Sequence, residues 1–248
     1  MSRTGERVPR SGGSSIYTDG QYAARNASYH TEDSAWKAVK IGDLLAKYHL
    51  APRRIIEIGC GAGHVVGELS RDERFAAATF AGYDISPHAI ELTRRAPGRA
   101  EYVCADLLTQ PVSDIDALLC IDVLEHVPDY LGFLEKVRAL APHHMFHVPL
   151  DLHVSSVLRS SFLEARASVG HLHYFTAESA LATLADAGFE VIGSELANPA
   201  RDLFWTKPSV RRALANLPRA VVGRVNERLS ARLFGGYTLW VLTRRPDG

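Results

Sequence analysis

From Arg53 onward the chain alternates between short apolar runs and stretches of helical apolar spacing. Strands are expected at Arg54–Gly59, Thr79–Asp84, Ala100–Asp106, Ala117–Asp122 and His144–Val148. Helices are expected between them, at Ala62–Arg71, Pro87–Ala96 and Tyr130–Leu140. The strand runs are nearly continuous in apolar residues, the pattern of strands buried on both faces. Parallel neighbours also need long crossovers, and helices of this length supply them. The pattern therefore predicts an α/β chain whose mostly parallel sheet is covered by helices on both sides. A further helix is expected at Ala177–Ala187, then a strand at Glu190–Leu196 and a last strand at Tyr237–Arg244.

Two segments stand outside this alternation. Residues 1–18 are rich in Ser, Gly and Arg and read as a disordered lead-in to a domain over 19–248. Within that domain, 19–50 reads as a helical lid with Asp33 as its N-cap, and Tyr22, Tyr29, His30 and Trp36 as groups able to stack on a ligand. Residues 198–236 lie where a hairpin needs only a few residues, so they read as a helical insertion before the last strand.

Composition excludes several classes. Lys plus Arg equal Asp plus Glu at 28 each, so no global field favours nucleic acid or a membrane. Cys60, Cys104 and Cys120 are far apart and show no metal-binding spacing, which fits a reducing, cytoplasmic setting. The polar N-terminus has no apolar core of a signal peptide, and no apolar run is long enough to span a bilayer.

Chemistry enters at Glu57-Ile-Gly59-Cys-Gly61-Ala-Gly63, a glycine-rich turn after the first strand that opens a helix. Glycines let the chain turn sharply and bring backbone close to a ligand, and the helix start supplies free N–H donors. The second strand ends in Asp84, followed by Ile85, and a carboxylate there can accept both hydroxyls of a ribose. The third strand ends in Asp106-Leu107, placed to meet an adenine amine.

The runs IIEIGCGAGH, GYDIS, YVCADLL and LLCIDVLEHVPD, in this order, resemble the motifs of class I S-adenosylmethionine-dependent methyltransferases. The resemblance is close from about Ile55 to Phe175. It implies a Rossmann-like sheet of seven strands with an antiparallel last strand, and S-adenosylmethionine as cofactor. Glu57 and Gly59 would lie at the methionine end, with Gly61 and Gly63 in the turn under the nucleoside. Asp84 and Ile85 would hold the ribose, and Asp106 and Leu107 would frame the adenine. Ile121 and Asp122 would face the transferred methyl group.

Methyl transfer to an oxygen needs alignment and removal of a proton. Among eleven histidines, His126, His147, His171 and His173 attract interest by position. Glu125, His126, His171 and His173 are the candidate catalytic set. Asp122, Glu125, His126 and His171 combine carboxylates with imidazoles, a donor set for Mg²⁺ or Mn²⁺. This run resembles the E-x-x-E-H cluster of metal-dependent O-methyltransferases acting on ubiquinone precursors and small-RNA 3′ ends, with Asp122 where those have Glu.

The insertion carries Arg201, Lys207, Arg211, Arg212, Arg219, Arg224, Arg228 and Arg232 against Asp202 and Glu227. Three readings stay open for it: a lid for an acidic substrate, a membrane-surface helix, and a solvated cap. O-methylation of a small metabolite is the leading expectation. An RNA methyltransferase is the alternative, favoured by the basic insertion and opposed by the lack of an RNA-binding module. A protein that binds the cofactor without catalysis is the third.

Overall fold

The computed structural model describes residues 31–203 and 210–246. Seven strands form one sheet: β1 (Arg54–Ile58), β2 (Thr79–Asp84), β3 (Glu101–Cys104), β4 (Ala117–Ile121), β5 (His143–Pro149), β6 (Glu190–Ala197) and β7 (Thr238–Arg244). Their order across the sheet is β3-β2-β1-β4-β5-β7-β6. Strands β3 to β5 pair in parallel across β1 and β4, whereas β7 runs antiparallel between β5 and β6. Sheet order reverses between β1 and β4, and at such a switch point the loops diverge and leave a crevice beyond the strand ends.

Helices flank the sheet. They are α1 (Ser34–Lys47), α2 (His64–Leu69), α3 (Pro87–Leu92), α4 (Tyr130–Leu140) and α7 (Ala177–Asp186). The period-2 pleat divides the core between two faces. Ile56, Ile58, Leu118, Cys120 and Phe146 join α4 through Leu134 and Val137, and α7 through Ala180 and Leu184. Ile55, Leu119, Ile121 and Met145 join α1 through Ile41 and Leu45, and α2 through Val66 and Leu69. Glu57 shares this second face with Ile55, which carries a carboxylate into the core beneath α2.

The structure differs from the expected boundaries where turn chemistry intervenes. Helix α2 begins at His64, because Gly59, Gly61 and Gly63 all adopt positive φ and postpone the first helical turn. Asp33 precedes α1, but its carboxylate does not cap the helix; it pairs with Lys37 at 2.9 Å instead. Two short helices, α5 (Val154–Arg159) and α6 (Ser161–Ser168), occupy a stretch where no element was expected. The side chain of His153 accepts from Ser156 N at 3.0 Å and starts α5, a capping role that histidine rarely advertises in a sequence. In the 198–236 stretch, α8 (Pro199–Asp202), α9 (Val210–Val225) and α10 (Glu227–Phe234) are helical. Tyr22, Tyr29 and His30 lie outside the described residues, and Trp36 packs edge-on to Trp240 at 6.0 Å and His147 at 6.3 Å.

Candidate active site

The loops after β1, β2, β3 and β4 meet around a cavity of about 500 Å³. Gly59 and Gly61, Asp84 to Ser86, Ala105 to Leu108, and Asp122 to Val123 line it. The glycine turn is held by sterics as well as by dihedrals. A Cβ at Gly59 would lie 2.7 Å from the Val123 side chain, and one at Gly63 would lie 2.4 Å from the Tyr102 ring. Tyr102 in turn donates its hydroxyl to the Gly63 carbonyl at 2.8 Å.

Asp84 organises this cavity. Its carboxylate accepts from Gly61 N and from Ser86 N, each at 2.8 Å, so one side chain joins the turn after β1 to the turn after β2. Burial pushes its carboxyl above the usual range, and the two amide hydrogen bonds oppose that shift. Asp106 accepts from Leu108 N at 3.0 Å, and the side chain of Leu107 is buried in the core. Ile85 stays partly exposed at the cavity wall. Gly63 sits at the start of α2 and lines neither cavity described here.

A second cavity of about 280 Å³ adjoins the first and shares Gly59, Gly61, Asp122 and His126 with it. Its lining includes a set of titratable side chains, among them Lys37, Glu57, Glu125, His147 and His171. Glu57 is fully buried and accepts from Val66 N in the first turn of α2 at 3.1 Å. Burial raises its carboxyl to about 8, so it is mostly protonated at neutral pH.

Asp122 follows β4 directly with a φ of 54°, a left-handed backbone that a non-glycine residue seldom takes. Its carboxylate receives Lys37 Nζ at 2.7 Å and His147 Nδ1 at 2.6 Å. Burial alone would raise its pKa, but His147 and Lys37 outweigh it and hold the carboxyl well below the usual range. Burial likewise works against the Lys37 charge, and Asp122 and Asp33 more than compensate, so its ammonium titrates higher than normal. Asp122 is therefore an ion-pair partner, and it lies apart from the group that could hold a metal.

That group is Glu125, His126 and His171, whose donor atoms all lie within 4.8 Å of one another. His126 Nδ1 meets the Gly170 carbonyl at 3.2 Å, and His171 Nδ1 meets the Asp151 carboxylate at 2.5 Å. A carbonyl can only accept, so His126 Nδ1 carries the proton and Nε2 presents its lone pair when the ring is neutral. The two Nε2 atoms stand 3.9 Å and 4.0 Å from Glu125 Oε1. Both Glu125 carboxylate oxygens are buried and accept no hydrogen bond from another residue, and burial, reinforced by Asp122, lifts this carboxyl well above its normal range. His173 faces elsewhere: its Nε2 bonds the Val127 carbonyl at 3.0 Å and its ring packs on Tyr130. His173 lines neither cavity described here, and the structure does not bring it together with Glu125, His126 and His171.

Two participants, Lys37 and Asp151, escape a reading of the motifs, and a third, His147, is named there without its partner. For Lys37, its position four residues after Asp33 on a helix was the available signal, since such pairs face each other. His147 was visible as a histidine near a strand end, but its pairing with Asp122 depends on β4 and β5 being neighbours. Asp151 had no signal, because the 20 residues separating it from His171 are closed only by the tertiary fold.

Sequence and structure comparisons agree with this geometry. The ubiquinone biosynthesis O-methyltransferase of Xanthomonas oryzae pv. oryzae is 29% identical over 117 residues, which are 44% of this chain and 47% of that protein. A trans-aconitate 2-methyltransferase of Methylobacterium nodulans is 36% identical over 104 residues, 40% of this chain and 39% of its own. The chain thus spans about half the length of the curated relatives it matches, or less. Among solved structures, magnesium protoporphyrin IX methyltransferase from Synechocystis PCC 6803, with bound S-adenosylhomocysteine, shares the fold with a TM-score of 0.56 at 14% identity, over 86% of this chain and 83% of that one. The cyclopropane synthase MmaA2 of Mycobacterium tuberculosis has a TM-score of 0.54 at 18% identity, covering 83% of each chain. The methyltransferase domain model matches residues 30–194, which hold the glycine turn, Asp84, Asp122 and the Glu125–His126–His171 group, and the chain belongs to the family of class I S-adenosylmethionine-dependent methyltransferases.

Proposed function

We propose that the chain transfers a methyl group from S-adenosylmethionine to an oxygen of a small molecule. One observation carries this reading: the larger cavity, lined by the glycine turn and the acids at the strand ends, adjoins a smaller one rich in titratable side chains, and Gly59, Gly61, Asp122 and His126 line both. The nucleoside occupies the larger cavity, with Asp84 at the ribose and Asp106 near the adenine. The acceptor occupies the smaller one, and the methyl group crosses at their junction. In-line transfer demands this arrangement, because nucleophile and sulfur must approach the methyl carbon from opposite sides.

An oxygen acceptor must also lose a proton, and the smaller cavity holds the groups to manage it. Glu125, His126 and His171 fit a divalent cation such as Mg²⁺ or Mn²⁺. Two buried carboxylate oxygens without hydrogen bonds face two imidazole nitrogens, and each ring is oriented through its other nitrogen by a carbonyl or a carboxylate. A cation held there would lower the pKa of a hydroxyl beside it. Lys37 and His147 fix the Asp122 carboxylate at the junction and leave Glu125 to the acceptor side. The O-methyltransferases among the relatives support the choice of oxygen.

The test is calorimetric titration with S-adenosylhomocysteine, on the wild type and on Asp84→Ala, followed by methyl transfer to catechol and to phenol before and after chelation. Saturable binding that falls at least about tenfold in the variant, with catechol turnover lost on chelation and restored by Mg²⁺, is expected. Folded wild-type protein that does not bind would overturn the cofactor assignment. Turnover indifferent to chelation would overturn the metal assignment alone.

A further inference from the structure

The helices beyond the site carry apolar side chains where water is expected to meet them. On α5, Val157 and Leu158 are 53% and 80% exposed; on α9, Leu217, Val221 and Val225 are 59%, 59% and 88% exposed. Leu229 on α10 continues the row at 44%. The α9 residues recur every four positions, so they form one stripe along the helix. Arg224 falls within that stripe and Arg228 follows at the start of α10; both are exposed, and neither forms an ion pair among the described residues. The two helical segments are joined. Helix α10 packs on α5, and Ser155 Oγ donates to the Phe234 carbonyl at 3.4 Å. Arg219 ties α9 to the same corner through the Gly235 and Phe234 carbonyls, at 2.8 and 3.1 Å.

An aliphatic stripe with unpaired arginines in it is costly in water and matches a surface that is apolar below and anionic above. We propose that α5, α9 and α10 form a docking surface for an anionic lipid bilayer, with the aliphatic side chains entering the headgroup boundary and Arg224 and Arg228 meeting lipid phosphates. A second copy of the chain suits the patch less well. A twofold contact would set the same arginines of the two copies against each other, and among the described residues of these helices no Trp, Tyr or Phe is exposed as the aromatic anchor that strong protein interfaces use. Helix α6 follows α5 directly and ends at Ser168, three residues before His171 of the smaller cavity. This proposal does not depend on the acceptor or on a metal.

Co-sedimentation of the full chain with vesicles tests it, using phosphatidylcholine alone and phosphatidylcholine mixed with phosphatidylglycerol, at low and at physiological salt. Binding is expected to the mixed vesicles, to weaken with salt, and to be slight with phosphatidylcholine alone. Loss of one arginine charge is expected to weaken partition about fivefold, and the Arg224→Glu/Arg228→Glu variant is expected to abolish it. The Leu158→Ser/Val225→Ser variant is expected to weaken it about tenfold. Both variants change exposed side chains, so urea midpoint and S-adenosylhomocysteine affinity should match the wild type. No partition by the wild type, equal partition to both vesicle types, or a lipid-free dimer that these variants dissociate would overturn the proposal. A failure here leaves cofactor binding intact, so it is distinguishable from failure of the proposed function.

Discussion

Replacing Lys37 by Met tests how the N-terminal helix is bound to the active site. The substitution keeps the length of the stem that packs among α1 and the sheet, and removes only the ammonium. Lys37 is almost fully buried, with 6% of its side chain exposed, and bridges Asp33 at 2.9 Å and Asp122 at 2.7 Å. Removing one partner of a fully buried pair costs about 3–5 kcal/mol, because the other charge is left uncompensated. Here Asp122 keeps its bond to His147, and a third of its side chain opens to the cavity, so water relieves part of that cost. The expected loss is therefore at the lower end, about 2–3 kcal/mol in urea unfolding near neutral pH. Asp122→Asn is the companion change, since Asn tolerates the left-handed backbone at that position. In the double variant the stranded charge is gone, and at least about 1 kcal/mol of the Lys37→Met loss should be recovered as coupling. A loss under about 0.5 kcal/mol, or two changes that simply add, would refute the idea that this ion pair holds α1 over the site.

Three further outcomes follow from the same geometry. Glu57 titrates near 8 when folded, so its contribution to stability is complete below the ordinary glutamate range near 4.5 and is lost as pH rises through 8. Urea midpoints should fall between about pH 4.5 and pH 9 by an amount worth up to roughly 4–5 kcal/mol, and Glu57→Gln should flatten that fall; an unchanged profile in the variant would assign it to other groups. Gly63→Ala combines a positive φ with a Cβ 2.4 Å from the Tyr102 ring, and should cost roughly 2–4 kcal/mol by thermal or chemical unfolding, of which Tyr102→Ala relieves only the steric part. Leu134→Ala, at a residue with no exposed surface beneath the sheet, should cost about 2–5 kcal/mol, whereas Leu158→Ala at 80% exposure should change unfolding by less than about 0.5 kcal/mol.

The cofactor edge was legible in the residues because each of its parts is local. A glycine turn declares itself by composition, and an acid at a strand end by its place in the pattern, so the residues alone put Gly59, Gly61, Asp84 and Asp106 at one sheet edge, where they line the larger cavity. The smaller cavity was legible only as a list of polar residues. Asp122, Glu125 and His126 share one loop, yet the structure turns them to different partners: Asp122 to Lys37 and His147, Glu125 to the imidazoles. Helices α5 and α6 went unread because their apolar residues face outward, and a helix with no buried stripe has no periodicity to detect.

Taken alone, the order of apolar runs and turns determined an α/β sheet with a nucleotide-binding edge, since strand period, helix period and glycine dihedrals are properties of neighbouring residues. Tertiary structure decided which carboxylates stay charged. The β4–β5 pairing brings His147 to Asp122, and α1 delivers Lys37 across 85 positions of chain, whereas among the described residues no Lys or Arg pairs with the buried oxygens of Glu125. Charge state depends on what surrounds a group in space, and that surrounding exists only once the chain has folded.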